Sequence, residues 1–236
     1  TDFQVNSDWV NACLKIKEKL NTFDRDTFLA EPNTFIKCIS DTLQEDVNLF
    51  VDVGQHQIWA AQSYDVKKNQ QMFFSGGHGA MGFALPAAIG GYYATGKRSV
   101  VICGDGAFQM NIQELQWVVR ENIPLLIFLF NNHSLGLIRQ QQDDFFDKKH
   151  YGSANQEYDT PSFQAIGEAY GINSFEIHTE KELMVKMKEI QDGKPYLFEI
   201  LVDKQSKAYP KTYFGEEMHN QKPYVPKDMM DELLAL

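Results

Sequence analysis

The chain has 236 residues, 43% apolar and 13% aromatic, which is enough to fill the core of one α/β domain with a short appendage and too much for a disordered chain. A net charge of −10 denies it the basic face a nucleic-acid binder needs, and no 18-residue apolar run or signal-peptide pattern marks a membrane span or secretion. Three separated cysteines, Cys13, Cys38 and Cys103, make neither a disulfide framework nor a cysteine zinc site and suit a reducing cytoplasm, while the opening Thr1 suggests a piece of something longer.

Residues 1–30 read as a helical arm or linker, with Trp9, Val10, Cys13, Leu14, Ile16 and Leu20 at roughly helical spacing and polar Asn21 to Asp26 following. From Pro32 the pattern changes to helices alternating with apolar strands, which defines a main domain over 31–203. Helices are predicted at Thr34–Leu43, Ala80–Thr95, Phe108–Arg120, Leu135–Phe146, Ser162–Tyr170 and Glu180–Gln191. Strands are predicted at Val47–Val53, Met72–Ser75, Ser99–Cys103, Leu125–Phe130, Ser174–Ile177 and Tyr196–Val202. Pro124 fits only the entry of its strand, because proline has no N–H for the ladder. Residues 204–236 form a polar tail of the same domain, with three prolines and a short helix near Lys227–Leu234. Trp59, Trp117, Phe83 and Tyr92 read as core.

Strands spaced by helical stretches imply a doubly wound parallel sheet with helices on both faces, and such sheets bind ligands beyond the carboxyl ends of their strands. Three of those ends carry unusual residues: Gly54-Gln55-His56-Gln57, Gly104-Asp105-Gly106 and Asn131-Asn132. Gly77-His78-Gly79-Ala80-Met81-Gly82 also spells G-x-G-x-x-G before an apolar helix, with Asp105 at the end of the next strand. That pattern admits an NAD-type oxidoreductase, but a ribose ligand has no use for the second glycine turn around Asp105. The alternative uses more residues. Gly106 and Ala107 let backbone N–H groups approach an anion at a helix start, and Asp105 beside a diphosphate calls for a divalent cation between them, Mg²⁺ by its preference for oxygen. Asn132, 27 residues after Asp105, emerges at the same sheet edge as a second oxygen ligand.

G-D-G followed after about 25 residues by N-N resembles the signature of thiamine-diphosphate (ThDP) enzymes. The stretches Gly54-Gln55-His56-Gln57-Ile58-Trp59-Ala60-Ala61-Gln62 and Met81-Gly82-Phe83-Ala84-Leu85-Pro86-Ala87-Ala88 look like the acetolactate synthase branch, and the resemblance runs from about residue 31 to 203. It implies that Asp105, the Asn132 side chain and the Ser134 carbonyl bind Mg²⁺. Gly106 and Ala107 would give N–H groups to the diphosphate, helped by Gln55 and His56. The Gly79 carbonyl would take the cofactor's amino group, and Met81 would be the apolar wedge that bends the cofactor so this amino group meets the reactive thiazolium carbon.

The resemblance implies decarboxylation of a 2-oxo acid, pyruvate first, and transfer of the two-carbon unit by a homo-oligomeric cytoplasmic enzyme. It also implies that the activating glutamate lies on a pyrimidine-binding domain of the same or another chain. No catalytic acid of this chain is expected beyond the wedge Met81, so the chain alone is incomplete, a fragment or a split-gene product. A ThDP-binding module without catalysis is the other reading. Where the branch reads G-M-V-x-Q-W, this chain has Gly136-Leu137-Ile138-Arg139-Gln140-Gln141. Leu137 and Gln141 thus replace the acceptor-lining Met and Trp, a text closer to relatives in polysaccharide clusters, and Arg139 is a candidate for holding a carboxylate or phosphate.

Overall fold

The computed structural model describes residues 6–22, 31–213 and 215–236. It divides into two compact units, residues 30–208 and a unit made of 1–29 with 209–236. In the smaller unit α1 spans Ser7–Thr22 and α10 spans Lys227–Leu234, with an antiparallel bridge between Lys211 and Lys222. Residues 23–30, which hold the rest of the polar connection predicted after α1, lie outside the described residues.

The larger unit runs α2 (Glu31–Thr42), β1 (Asn48–Val51), α3 (Gln55–Ser63), β2 (Gln71–Phe74), α4 (Ala84–Thr95), β3 (Ser99–Gly104), α5 (Asp105–Gln109), α6 (Leu115–Arg120), β4 (Leu126–Asn131), α7 (Gly136–Phe145), α8 (Phe163–Tyr170), β5 (Asn173–Ile177), α9 (Glu180–Met187) and β6 (Tyr196–Leu201). Its six strands form one sheet in the order β2-β1-β3-β4-β6-β5, every pair parallel. Two buried clusters cover the two faces: Phe35, Trp59 and Leu183 bring α2, α3 and α9 to one, and Leu85, Val118 and Phe163 bring α4, α6 and α8 to the other. β1, β3 and β4 are therefore buried along their whole length, and apart from the terminal Asn48, Ser99 and Asn131 they have no polar side chain and do not alternate.

Three predicted elements change. Helix α3 was not foreseen. The helix expected from Ala80 begins at Ala84, because Gly79 and Gly82 take φ of +69° and +84° and make a turn instead. The helix expected over 108–120 is two pieces broken around Asn111, whose φ of −135° is not helical. Trp117 is 38% exposed rather than core; its indole donates to the Tyr93 hydroxyl and stacks on Arg120.

The topology also removes the dinucleotide reading of the G-x-G-x-x-G turn. A nucleotide-binding β-α-β unit needs its two strands side by side. Here the strand before the turn is β2 at the sheet edge, the strand after it is β3, and β1 lies between them.

Candidate functional site

The chain winds from β1 to β2 towards one edge and from β3 onward towards the other, so the order reverses between β1 and β3. The crevice beyond the carboxyl ends of these strands is where an open α/β sheet can receive a ligand. Asp52, at the end of β1, is buried, and burial pushes its carboxyl above the ordinary range. Its oxygens accept from the backbone N–H groups of Gly82 at 2.9 Å and Ala84 at 2.8 Å. This pins the Gly79–Gly82 turn to the sheet end and caps α4. A Cβ at Gly82 would lie 2.8 Å from Asn111 Nδ2, which donates to the Gly82 carbonyl at 2.7 Å.

At the next strand end Asp105 is 3% exposed. It accepts from its neighbour Gly106 N–H at 2.7 Å and from Ser134 N–H at 3.1 Å, which ties β3 to the loop after β4. Burial pushes its carboxyl up to about 7, against the pull of those N–H donors. The Tyr158 hydroxyl is buried over Gly106 with no hydrogen bond of ordinary geometry, and its ionisation is pushed up, first by burial and then by the Asp105 charge. Among the described residues no group of three His, Cys, Asp or Glu side chains could hold a metal ion. Any cation here would have to use Asp105 with neutral oxygens.

The two asparagines after β4 part ways. Asn131 donates to buried Glu199 at 2.7 Å and accepts from His133 N–H. Asn132 turns the other way and donates to Gln55 Oε1 at 3.1 Å. Ser134 spends its hydroxyl on the Ser153 carbonyl, so only its backbone is left to face a ligand. Gly136 must be glycine: a Cβ there would come within 2.6 Å of Asn132 Nδ2 and closer still to Gln55 Oε1. The imidazole of His56 fills the space left by Gly54 and Gly104, where a Cβ would collide with its ring. Burial holds it down to about 3, and its Nε2 is buried without a partner.

All nine residues singled out in the sequence line one cavity of about 210 Å³, with Leu137 and Ile138 on its wall. Two side chains are engaged elsewhere. Gln55 Nε2 donates to Gln140 Oε1 and the Ser206 carbonyl, so its amide is already committed within the protein. Arg139 is buried, donates to Gln205 Oε1 and the Ser206 carbonyl, keeps its Nε buried without a partner, and does not line the cavity. Gln141 is exposed and is not part of the cavity wall. Sequence reasoning missed Asp52, Gln140 and Tyr158. Asp52 had a signal, an acid at a strand end two residues before a glycine; the other two are recognised only by what they face.

Residues 52–200 match the family described as thiamine pyrophosphate enzyme, C-terminal TPP binding domain. The chain is 39% identical over 213 residues to the acetolactate synthase large subunit of Lactococcus lactis, covering 89% of this chain and 36% of that protein. It is 34% identical over 207 residues to the isozyme 2 large subunit of Escherichia coli, covering 86% and 37%. It is 32% identical over 243 residues to a probable large subunit of Methanocaldococcus jannaschii, covering 95% and 40%. The chain thus spans between about a third and two fifths of the length of these relatives. The family match begins just after β1 and includes β3 and β4 with the loops that carry Asp105 and Asn132, and the chain belongs to the thiamine pyrophosphate enzymes, as their C-terminal TPP-binding domain.

Proposed function

We propose that this chain binds the diphosphate end of ThDP through Mg²⁺ held by Asp105, the Asn132 side-chain oxygen and the Ser134 carbonyl. It would serve as one half of the active site of an acetolactate-synthase-like enzyme that decarboxylates a 2-oxo acid, pyruvate first, and transfers the two-carbon unit. The observation that carries the reading is Asp105: a carboxylate 3% exposed, pushed up to about 7, and held among the described residues by the backbone N–H groups of Gly106 and Ser134 rather than by a Lys or Arg. A buried carboxylate of that kind holds either a proton or a metal ion, and the oxygen-only surroundings suit Mg²⁺.

The residues fit the group in three further respects. His56 offers a buried, unpartnered Nε2 and stays neutral. Gly106 keeps the cradle open, since a Cβ there would meet Tyr158 and Leu135. The cavity, at about 210 Å³, is below the roughly 300–1,000 Å³ of complete small-molecule sites, in keeping with a site that holds part of a longer ligand. When bound, the cofactor supplies the electron sink for decarboxylation and carbon–carbon bond formation. The chain binds and orients: Asp105, Asn132 and Ser134 hold the cation, Ala107 presents its N–H to the diphosphate while Gly106 spends its own on Asp105, and Asp52 fixes the turn that carries Gly79 and Met81. Leu137 and Ile138 keep the wall beside the reacting end apolar.

The test is chemical unfolding with Mg²⁺ plus ThDP, Mg²⁺ alone, ThDP with chelator, and NAD, on the chain and on Asp105→Ala. Ligand at 100 times its dissociation constant should add about 2.7 kcal/mol. The expected gain requires Mg²⁺ and ThDP together and disappears in the variant. A gain from NAD alone, or from ThDP in chelator to the same extent, overturns the reading.

A further inference from the structure

A carboxamide presents an oxygen at one end and an NH₂ of nearly the same shape at the other, and a cation accepts only the oxygen. Something must therefore hold Asn132 the right way round. Its Nδ2 donates to Gln55 Oε1 at 3.1 Å, and among the described residues its Oδ1 carries no hydrogen bond, so the orientation of Asn132 depends on that of Gln55. The Gln55 amide is held at its other end, where Nε2 donates to Gln140 Oε1 at 2.8 Å and to the Ser206 carbonyl at 2.9 Å. Gln140 in turn is fixed by backbone that cannot flip: its Oε1 accepts from Ala208 N–H at 2.9 Å and its Nε2 donates to the Ala208 carbonyl at 3.0 Å. Asn132, Gln55, Gln140 and Ala208 are all buried, where a hydrogen bond is electrostatically stronger than in water.

We propose that Gln140 is a positioning residue for the cation site: through Gln55 it transmits the donor–acceptor polarity of the Ala208 backbone to Asn132 and so leaves the Asn132 oxygen free for the metal. This inference rests on the cation reading above. It assigns to the Ala208 backbone a part in setting a metal ligand on another loop; the neighbouring Gln205 and Ser206 are gripped by Arg139, and the Gln205 side chain lies outside the carboxamide chain.

The experiment is a Mn²⁺ titration of the full chain at saturating ThDP, with free Mn²⁺ read by electron paramagnetic resonance and melting temperature measured in parallel. Gln140→Leu removes one of the two acceptors that orient Gln55 and leaves it the Ser206 carbonyl alone; Gln140→Met, closer in length, carries the same expectation should the leucine variant not melt cooperatively. Gln205→Ala loosens the same segment at Arg139 and leaves the carboxamide chain intact. Both Gln140 variants are expected to raise half-saturating Mn²⁺ by about tenfold or more, the usual effect of removing a group that orients a metal ligand. Gln205→Ala is expected to lower the melting temperature with half-saturation unchanged. Gln140 variants that melt lower but bind Mn²⁺ as the unmodified chain does overturn the inference, and so does an equal loss of affinity in Gln205→Ala. Failure of the unmodified chain to bind Mn²⁺ with ThDP overturns the cation reading itself, and this inference falls with it.

Discussion

Asp105 and His56 sit at neighbouring strand ends and are moved in opposite directions by the same burial. Asp105 is pushed up to about 7 from about 3.9 in an unfolded chain, so the folded state holds the proton longer, and stability falls as pH rises between those values. His56 is pushed down to about 3 from about 6.5, so the unfolded state binds the proton first, and stability rises with pH across that window. In chelator the two slopes oppose each other, each at most about 1.4 kcal/mol per pH unit. Asp105→Asn removes one of them, and its stability relative to the unmodified chain should climb by up to about 2 kcal/mol from pH 4.5 to 6. Urea midpoints at the two pH values measure this, and a difference that stays constant with pH would show that Asp105 is not the buried proton holder. Gly136→Ala probes the same loop by shape. Its Cβ would collide with the Gln55 and Asn132 amides, and unfolding should show a loss of about 1–3 kcal/mol with a weaker response to Mg²⁺ plus ThDP. Asp105 and Asn132 were legible because their spacing follows from strand and helix lengths. Gln140 was not, because its partner Ala208 lies 68 residues away.

At the scale of elements, the sheet was readable because buried parallel strands are uninterrupted apolar runs, and each of the six appeared within a few residues of its place. Helix α3 was hidden by its inward-facing polar residues. Its buried positions are Gln55, His56, Trp59 and Ala60, and two polar residues facing inward break the apolar period that reveals a helix. The start of α4 misled for a related reason. Met81 and Phe83 continue its apolar pattern backwards, but Asp52 draws in the N–H groups of Gly82 and Ala84 and fixes a turn there. Asp52→Ala should leave both N–H groups buried without an acceptor and cost about 2–4 kcal/mol in urea unfolding. Asp52→Asn keeps one carbonyl oxygen and should lose about half of that. Both should weaken the stabilisation by Mg²⁺ plus ThDP, because the turn that carries Met81 is no longer pinned. Full stability in Asp52→Ala would remove the carboxylate as the anchor of this turn.

At the scale of the whole molecule, the proposed reading gives the chain the oxygen ligands and the anion cradle, and the chain spans only 36% of the length of its Lactococcus lactis relative. Transition-state chemistry of this kind depends on groups held together in a site closed to water, and the proposed reading gives this chain only the diphosphate half of such a site. The expected result is that the chain with Mg²⁺ and ThDP binds the cofactor yet releases CO₂ from pyruvate no faster than free ThDP. Adding a pyrimidine-binding domain from an acetolactate synthase large subunit should raise that rate by at least about 100-fold, and Asp105→Ala should abolish the gain. Two other outcomes have distinct physical meanings. Rapid CO₂ release by the chain alone would mean that two copies complete one another, so the activating acid would have to be sought among its own glutamates. Cofactor binding without turnover in any mixture would mark a module that retains the diphosphate half of the site and has lost the chemistry of the other half.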